Sequence, residues 1–523
     1  MIRGERILMN RLLNRINTKE TYFSFVFILL YMAYYFEMYT KNSVWKNLLL
    51  TILVYVIINI SLRLIKFCWN HIKKFLKLRD REENKIIRLV SFMIIWSTCF
   101  IVFLNMYPGT LSCDTPGQMA EALGINKFEN LNPFINTLMI TIFVRIGVFI
   151  KDVNLGVALY TLFQLTLYSV VTSKVLYLLY KKGFHIVILV ATMVFYAINP
   201  INLIYATGMW KDTFFAVLLL YTSTIIYEEV DNPDSSKKGL KNKIKLGLAV
   251  FVTSLSRNSA WSAFLIFGIF AALGKKQTLK KTGVTVIVGA LLSIMVMLFI
   301  YPMFGVVSTN SYLANSLQLQ QIARVAKDEV LTDAEREEIE FFLREEKSID
   351  DLAVNYSSSL VDPLRGQFDS DKVGNEEGKL SQLSINLFLN HTQASINSII
   401  DHTKTYWWPR TSGWIWDTRI FENDFGIERH QLVFEGHEIA AFLYTFFAHI
   451  PLYKWFNYMG VITWILLLAI FLKGMDYTGC SLYIVPLTII IGLILFSYAS
   501  LFRYIYAVFL MKPLFIAYQY VDN

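Results

Sequence analysis

Charge is scarce in this chain of 523 residues: Asp, Glu, Lys and Arg together make up 17%, against about a quarter in an ordinary soluble domain. That shortage argues against a protein bathed in water on all sides. Cysteine is nearly absent too. The four present (Cys68, Cys99, Cys113, Cys480) are widely spaced, which excludes a disulfide framework and a zinc-ligand spacing. There is no G-x-x-x-x-G-K-[ST] nucleotide loop, no H-E-x-x-H metal helix and no G-x-S-x-G elbow. The seven histidines are scattered, and the outer pair His391 and His402, eleven positions apart, makes a weak ligand set. Neither a tandem repeat nor the inverted repeat common in transporters is visible.

What the chain has is apolar residues, 55% of the total, with aromatics at 15%. They fall in blocks of roughly 15 to 22, the length that crosses about 30 Å of hydrocarbon. The pattern predicts an all-α polytopic membrane protein with about 12 or 13 spans. The net charge of +9 is unevenly spread: residues 305–440 carry 12 basic and 23 acidic side chains, leaving 37 basic and 17 acidic elsewhere. The basic ones sit mostly in short loops between apolar blocks, the positive-inside asymmetry of a membrane protein and not a groove for nucleic acid. Three regions follow: an N-terminal membrane part (1–304) with a first outer loop (107–132), a mostly helical extracytoplasmic part (305–440), and C-terminal membrane helices (441–523).

The first span is expected over Tyr22–Met38, behind a basic leader (Arg3, Arg6, Arg11, Arg15, Lys19) that places the N-terminus inside. No small-residue cleavage site follows, so a retained helix is expected and not a signal peptide. Leu48–Leu62, Leu89–Met106, Leu155–Tyr177, Ile186–Ala206, Phe214–Tyr227, Leu246–Leu255, Trp261–Leu273 and Val284–Tyr301 read as further spans. Tyr458–Leu472, Leu482–Tyr498 and Arg503–Tyr520 close the chain. Lys181-Lys182, the run Lys237–Lys245 and Lys275–Lys281 are placed inside, so Lys211-Asp212 and Arg257-Asn258 fall at the outer surface. Pro133–Ile150 breaks the alternation, since both its ends need to be outside; it reads as a re-entrant or surface-lying helix, or else Lys181-Lys182 lies outside and one later crossing is miscounted. Thr332-Asp333-Ala334-Glu335 reads as a capping box.

Several outer residues suit chemistry. Asp114 is either a general base poised over the lipid surface or an ordinary turn aspartate. Lys211-Asp212, after Trp210, is either an interfacial anchor or a phosphate partner beside a second carboxylate, and Arg257-Asn258 is read the same way. Arg503 interrupts an apolar stretch, where it either grips a phosphate headgroup or snorkels. Arg324 lies near the membrane after a span. Trp414 and Trp416 belong to a cluster of four tryptophans that either stacks on sugars or forms belt and core.

In order, Tyr107-Pro108-Gly109 with Asp114 and Gln118, Asn132-Pro133, Asn199-Pro200, Lys211-Asp212, Arg257-Asn258, Gln320–Arg324 and Arg503-Tyr504 resemble the GT-C glycosyltransferase superfamily, and most closely a bacterial multi-pass branch of it. The resemblance implies a polyprenyl-phosphate-sugar donor used at the outer face of the bacterial plasma membrane, and a cell-wall polymer or surface protein as acceptor. It implies Asp114 as the base and Asp212 as a second acidic site residue, with Lys211, Arg257, Arg324 and Arg503 stabilising the departing phosphate and inversion at the anomeric carbon. Gln118, Asn132, Asn258, Tyr504, Trp414 and Trp416 become substrate contacts. Asn132 stands where many GT-C enzymes have histidine. Some branches use a divalent metal (Mg or Mn), others none. The competing readings are a transporter or flippase for lipid-linked glycans and a cell-wall assembly scaffold. Membrane lipids are the remaining partner expected, and nucleic acid is not one.

Overall fold

A computed structural model describes residues 19–76, 81–231, 239–307, 315–410, 414–474 and 476–521. Most of the basic leader and part of the run Lys237–Lys245 lie outside them. The chain is a polytopic, largely helical membrane protein. Among the described residues five helices are long and apolar enough to cross a membrane: Val44–Lys73, Lys85–Asn105, Val153–Lys181, Lys211–Asp231 and Gln277–Met303. A sixth forms if the pair Ile186–Ala197 and Pro200–Ala206, bent by 49°, counts as one. This is well short of 12 or 13 because Phe134–Phe149, Ala260–Leu273, Ile439–Ala448, Met459–Lys473 and Ile484–Phe496 have only 10–17 residues. Apolar blocks in the sequence mark burial in protein as readily as burial in lipid.

The bundle has two distinct ends. At one, Lys174 pairs with Glu228 at 2.8 Å, Lys181 with Glu83 and Lys182 with Asp231, while Arg81 bonds the Phe184 carbonyl at 2.9 Å. The expected inner loops are thus gathered together. At the other end lie Tyr107–Asn132, Lys211, Arg257 and Arg503.

The helix Phe134–Phe149 has both ends on this second side. Asn132 at its start bonds Lys211, and Asn154 just past its turn accepts from the Glu428 amide at 3.3 Å. At 16 residues it is about 24 Å long, too short to cross unaided. It returns at once because Gly147 and Gly156 let it lie directly on Val153–Lys181; a Cβ on Gly147 would meet the Gly156 Cα at 2.8 Å.

The span expected over Ile186–Ala206 breaks at Asn199, whose side chain accepts from the Ile201 amide in front of which Pro200 supplies no N–H. Its end then runs into a two-residue strand, Gly208–Met209, paired in parallel with Thr110–Leu111. Gln164, from the middle of Val153–Lys181, donates to the carbonyls of Tyr205, Ala206 and Gly208 at 2.5–3.3 Å, so the broken backbone is satisfied inside the protein.

Residues 316–394 build a second hydrophobic cluster around Leu319, Ile322, Ile339, Phe368 and Leu387. The Thr332–Glu335 capping box is present and opens the helix Asp333–Phe341. From Trp414 to Glu438 the chain is irregular and lies as a strap over the first loop. The His430 amide donates to Tyr107 O at 2.9 Å and that of Leu432 to Leu104 O at 3.0 Å.

Gly109 fixes where that loop turns. Its φ is +132°, and a Cβ there would stand 2.4 Å from Thr161 Oγ1 and 3.1 Å from the Thr207 carbonyl. Gly109→Ala is expected to cost about 1–3 kcal/mol, read as a lowered thermal midpoint in detergent. An unchanged midpoint would mean that the loop does not depend on this close approach.

Candidate functional site

Four separate stretches of chain bring their charges to one place. The β pairing carries Asp114 toward the start of Lys211–Asp231, and the Thr115 hydroxyl reinforces it by donating to the Met209 carbonyl at 2.8 Å. Asp114 holds the N-cap position of the helix Thr115–Leu123 but makes no capping bond. Its carboxylate instead meets Arg503 at 2.6 Å and Lys211 at 3.2 Å. Asp212 lies in the first helical turn, where the helix dipole favours an anion, and pairs with Arg257 at 2.8 Å. The Arg503 Nε approaches Asp212 at 4.0 Å. Lys211 and Asp212 are therefore not surface anchors: their side chains are only 15% and 6% exposed.

Around the charges stands a fixed polar shell. Lys211 donates to Asn132 Oδ1 at 3.0 Å, and Asn132 donates onward to Glu121 at 2.8 Å. Asn258 bonds the Asn130 carbonyl. Tyr504 lies under both Arg503 and Arg257, with guanidinium-to-ring distances of 5.0 and 5.5 Å. Its hydroxyl accepts from Arg503 at 3.1 Å.

Burial alone would raise the Asp114 carboxyl, but Lys211 and Arg503 overcome it and hold the group well below the usual carboxylate range. Burial pushes the neighbouring Glu121 carboxyl up and dominates the upward shift of the Cys113 thiol. Arg503 Nε, Asp212 Oδ2 and the Trp210 indole N–H are buried without a hydrogen-bond partner among the described residues.

Of the residues singled out in the sequence, Asp114, Asp212, Asn132, Lys211, Arg257, Asn258, Arg503 and Tyr504 meet in this cluster or its shell. Trp414 stands beside it, 6.0 Å from the Trp210 ring. Gln118 is buried and bonds Asn136 at 2.8 Å, which fixes the loop to the helix Phe134–Phe149. Arg324 pairs with Asp328 and Asp401 in the second cluster and with no charge of the first. Trp416 packs on Tyr444 at 5.1 Å. Glu121 and Asn130 escaped the sequence reading: one lies in a short loop helix, the other contributes only its carbonyl. Trp210 was visible as a neighbour of Lys211, but its buried N–H was not.

Among the described residues no group of three His, Cys, Asp or Glu side chains could hold a metal ion. Asp114 and Asp212 are each already engaged by cations, so the set fits an anion better than a divalent cation.

A model for a family of unknown function, DUF6020, matches residues 125–375. The chain is similar to that family over just under half its length. The match takes in Asn132, Lys211, Asp212, Arg257, Asn258 and Arg324 but stops short of Asp114 and Arg503 at either end. No curated protein and no solved structure matches the chain.

Removing Asp212 leaves Arg257 buried and unpaired, so Asp212→Ala is expected to lose about 3–5 kcal/mol of stability. Asp114→Ala should lose less, since Asp114 is 25% exposed and the Arg503 it leaves behind still has Asp212 within 4.0 Å. Thermal unfolding of the two variants compares them; equal losses would make Asp114 a structural ion-pair partner like Asp212.

Proposed function

We propose that this chain is a GT-C-type glycosyltransferase that moves a sugar from a polyprenyl-phosphate carrier to a cell-envelope acceptor. The site faces outward from the bacterial plasma membrane, with the N-terminus and basic loops inside. Residues 1–304 and 441–523 form the membrane part, and 305–440 the outer part. The observation that carries this reading is the positive surplus at the cluster: Lys211, Arg257 and Arg503 share only Asp114 and Asp212. Glu121 stands one residue further back, behind Asn132. Three close cations with one charge uncompensated suit a phosphate oxyanion.

In the reaction, the acceptor hydroxyl oxygen bonds to the anomeric carbon as the carbon–oxygen bond to the lipid phosphate breaks. The leaving electron pair goes to the phosphate oxygen, which Lys211 and Arg503 stabilise, and the hydroxyl proton goes to Asp114. One displacement gives inversion. No strong acid is required, because a phosphate leaves well as an anion. Trp414, 40% exposed, offers a ring face for the sugar beside the charges.

The depressed Asp114 carboxyl makes it a poor base while both cations hold it. A bound lipid phosphate competes for those cations, so the proton affinity of Asp114 rises when the donor arrives. Asp114 is ionised in the free protein far into acid. The acid limb of the pH profile is therefore expected at higher pH in kcat, which reports the donor complex, than in kcat/KM. Coincident limbs would rule out this coupling.

The direct test is transfer of radiolabelled sugar from polyprenyl-phosphate-sugar to envelope material in membranes holding equal amounts of protein. Asp114→Asn is expected to lose about 10²–10⁴-fold in rate while keeping its fold. Equal transfer by both proteins would take Asp114 out of the mechanism. No transfer by either, across several donors, would leave the carrier or scaffold reading in its place.

A further inference from the structure

One cavity lies well away from the charge cluster. A groove of about 970 Å³ runs between the helices Leu240–Leu255 and Gln277–Met303, on their exposed apolar side. Its depth comes from two glycines: Gly289 lies so close on Gly247 that a Cβ would meet the Gly247 carbonyl at 2.7 Å. With no side chains at the crossing, the residues flanking it stand up as walls. Those walls are apolar from Val284 to Ile300, and Leu248 and Val288 in them are more than half exposed. From Lys281 to Ile300 the groove follows about 28 Å of helix, roughly the thickness of the hydrocarbon core.

The only charged side chains lining it are Lys243, Lys280 and Lys281, all at one end. Among the described residues none of the three forms an ion pair. Among the described residues one carboxylate, Glu229, borders a small recess beside Lys243 and Lys281, so the three lysines exceed it by two charges. Lys243 and Arg257 stand at opposite ends of one helix, about 21 Å apart along its axis. The basic mouth therefore opens at the membrane face away from Asp114.

We propose that this groove is a binding site for an anionic glycerophospholipid of that leaflet, with acyl chain on the apolar walls and headgroup phosphate on the three lysines. The shape asks for a hydrocarbon chain, and the charge asks for an anion at one end only. A packed helix of another protein would satisfy the walls but leave the lysines facing apolar surface. Basic pockets between membrane helices at the anionic leaflet recognise such headgroups.

The test is native mass spectrometry of the full chain released from micelles doped with phosphatidylglycerol or phosphatidylcholine. The wild type is expected to retain phosphatidylglycerol preferentially. The variant Lys243→Gln/Lys280→Gln/Lys281→Gln should bind it on the order of a hundredfold more weakly, with phosphatidylcholine unaffected. Val288→Trp, which fills the groove from an exposed position, should weaken retention of both lipids. Equal retention of the two lipids by the wild type, or no loss in the lysine variant, would overturn the proposal. So would polyprenyl phosphate displacing phosphatidylglycerol from Val288 with no dependence on the lysines, since the groove would then belong to an isoprenoid chain anchored at the far side.

Discussion

A guanidinium buried at the end of a membrane bundle has to be paired, and the pairing of Arg503 organises this protein. Its partner, Asp114, is 389 positions away in sequence. Leaving either charge buried alone would cost several kcal/mol, so the first loop and the last membrane helices are held face to face. Asp212, from the start of the helix Lys211–Asp231, and Arg257, from the turn after Leu240–Leu255, close the same network. Four segments that share no local sequence relation are thus tied at one point, at a cost in desolvation that other packing has to offset.

The surrounding backbone is arranged to permit that meeting. At the break at Asn199-Pro200 the freed carbonyls of Phe195 and Tyr196 accept from Asn202 and Tyr168, and Gln164 takes up those of Tyr205 and Gly208 where the chain leaves the helix. The two-residue strand pair then sets Asp114 beside Lys211. On the other side, Tyr406 OH donates to the Ala499 carbonyl at 2.7 Å and the Ser500 hydroxyl to that of His402 at 2.6 Å. The stretch ahead of Arg503 is in this way pinned to the helix Thr392–Trp407. The second hydrophobic cluster therefore serves the site indirectly, by holding the residues that aim Arg503.

Charge at this cluster and charge at the groove mouth differ in kind. Lys211, Arg257 and Arg503 are mostly buried and matched against carboxylates, so they form a rigid set in which any added anion must compete with existing pairs. Lys243, Lys280 and Lys281 lie near helix starts and, among the described residues, form no ion pair, with Glu229 the carboxylate beside them. The two sets of charges lie at opposite ends of the helix Leu240–Leu255.

Much was legible in the sequence because hydrophobic blocks and isolated charges report on local solvent. Helices over Val44–Phe75, Lys85–Asn105 and Val153–Lys181 cover the blocks that predicted them, and the capping box at Thr332 was written in four residues. The number of crossings was not, because a block of 10–17 apolar residues looks alike whether lipid or protein covers it. Individual charges near span ends were visible as candidates, since such residues are rare in apolar sequence. Their partners were not: Arg324 and Arg503 look equally apt in one dimension, yet Arg324 pairs with Asp401 and Arg503 with Asp114. The sequence by itself determined a polytopic helical membrane protein and a short roll of charged residues near its surface. Which of them meet, and the strap and the Asn132–Glu121 shell around them, only the tertiary structure decided, because ion pairs and irregular backbone bonds between distant segments leave no periodic trace along the chain.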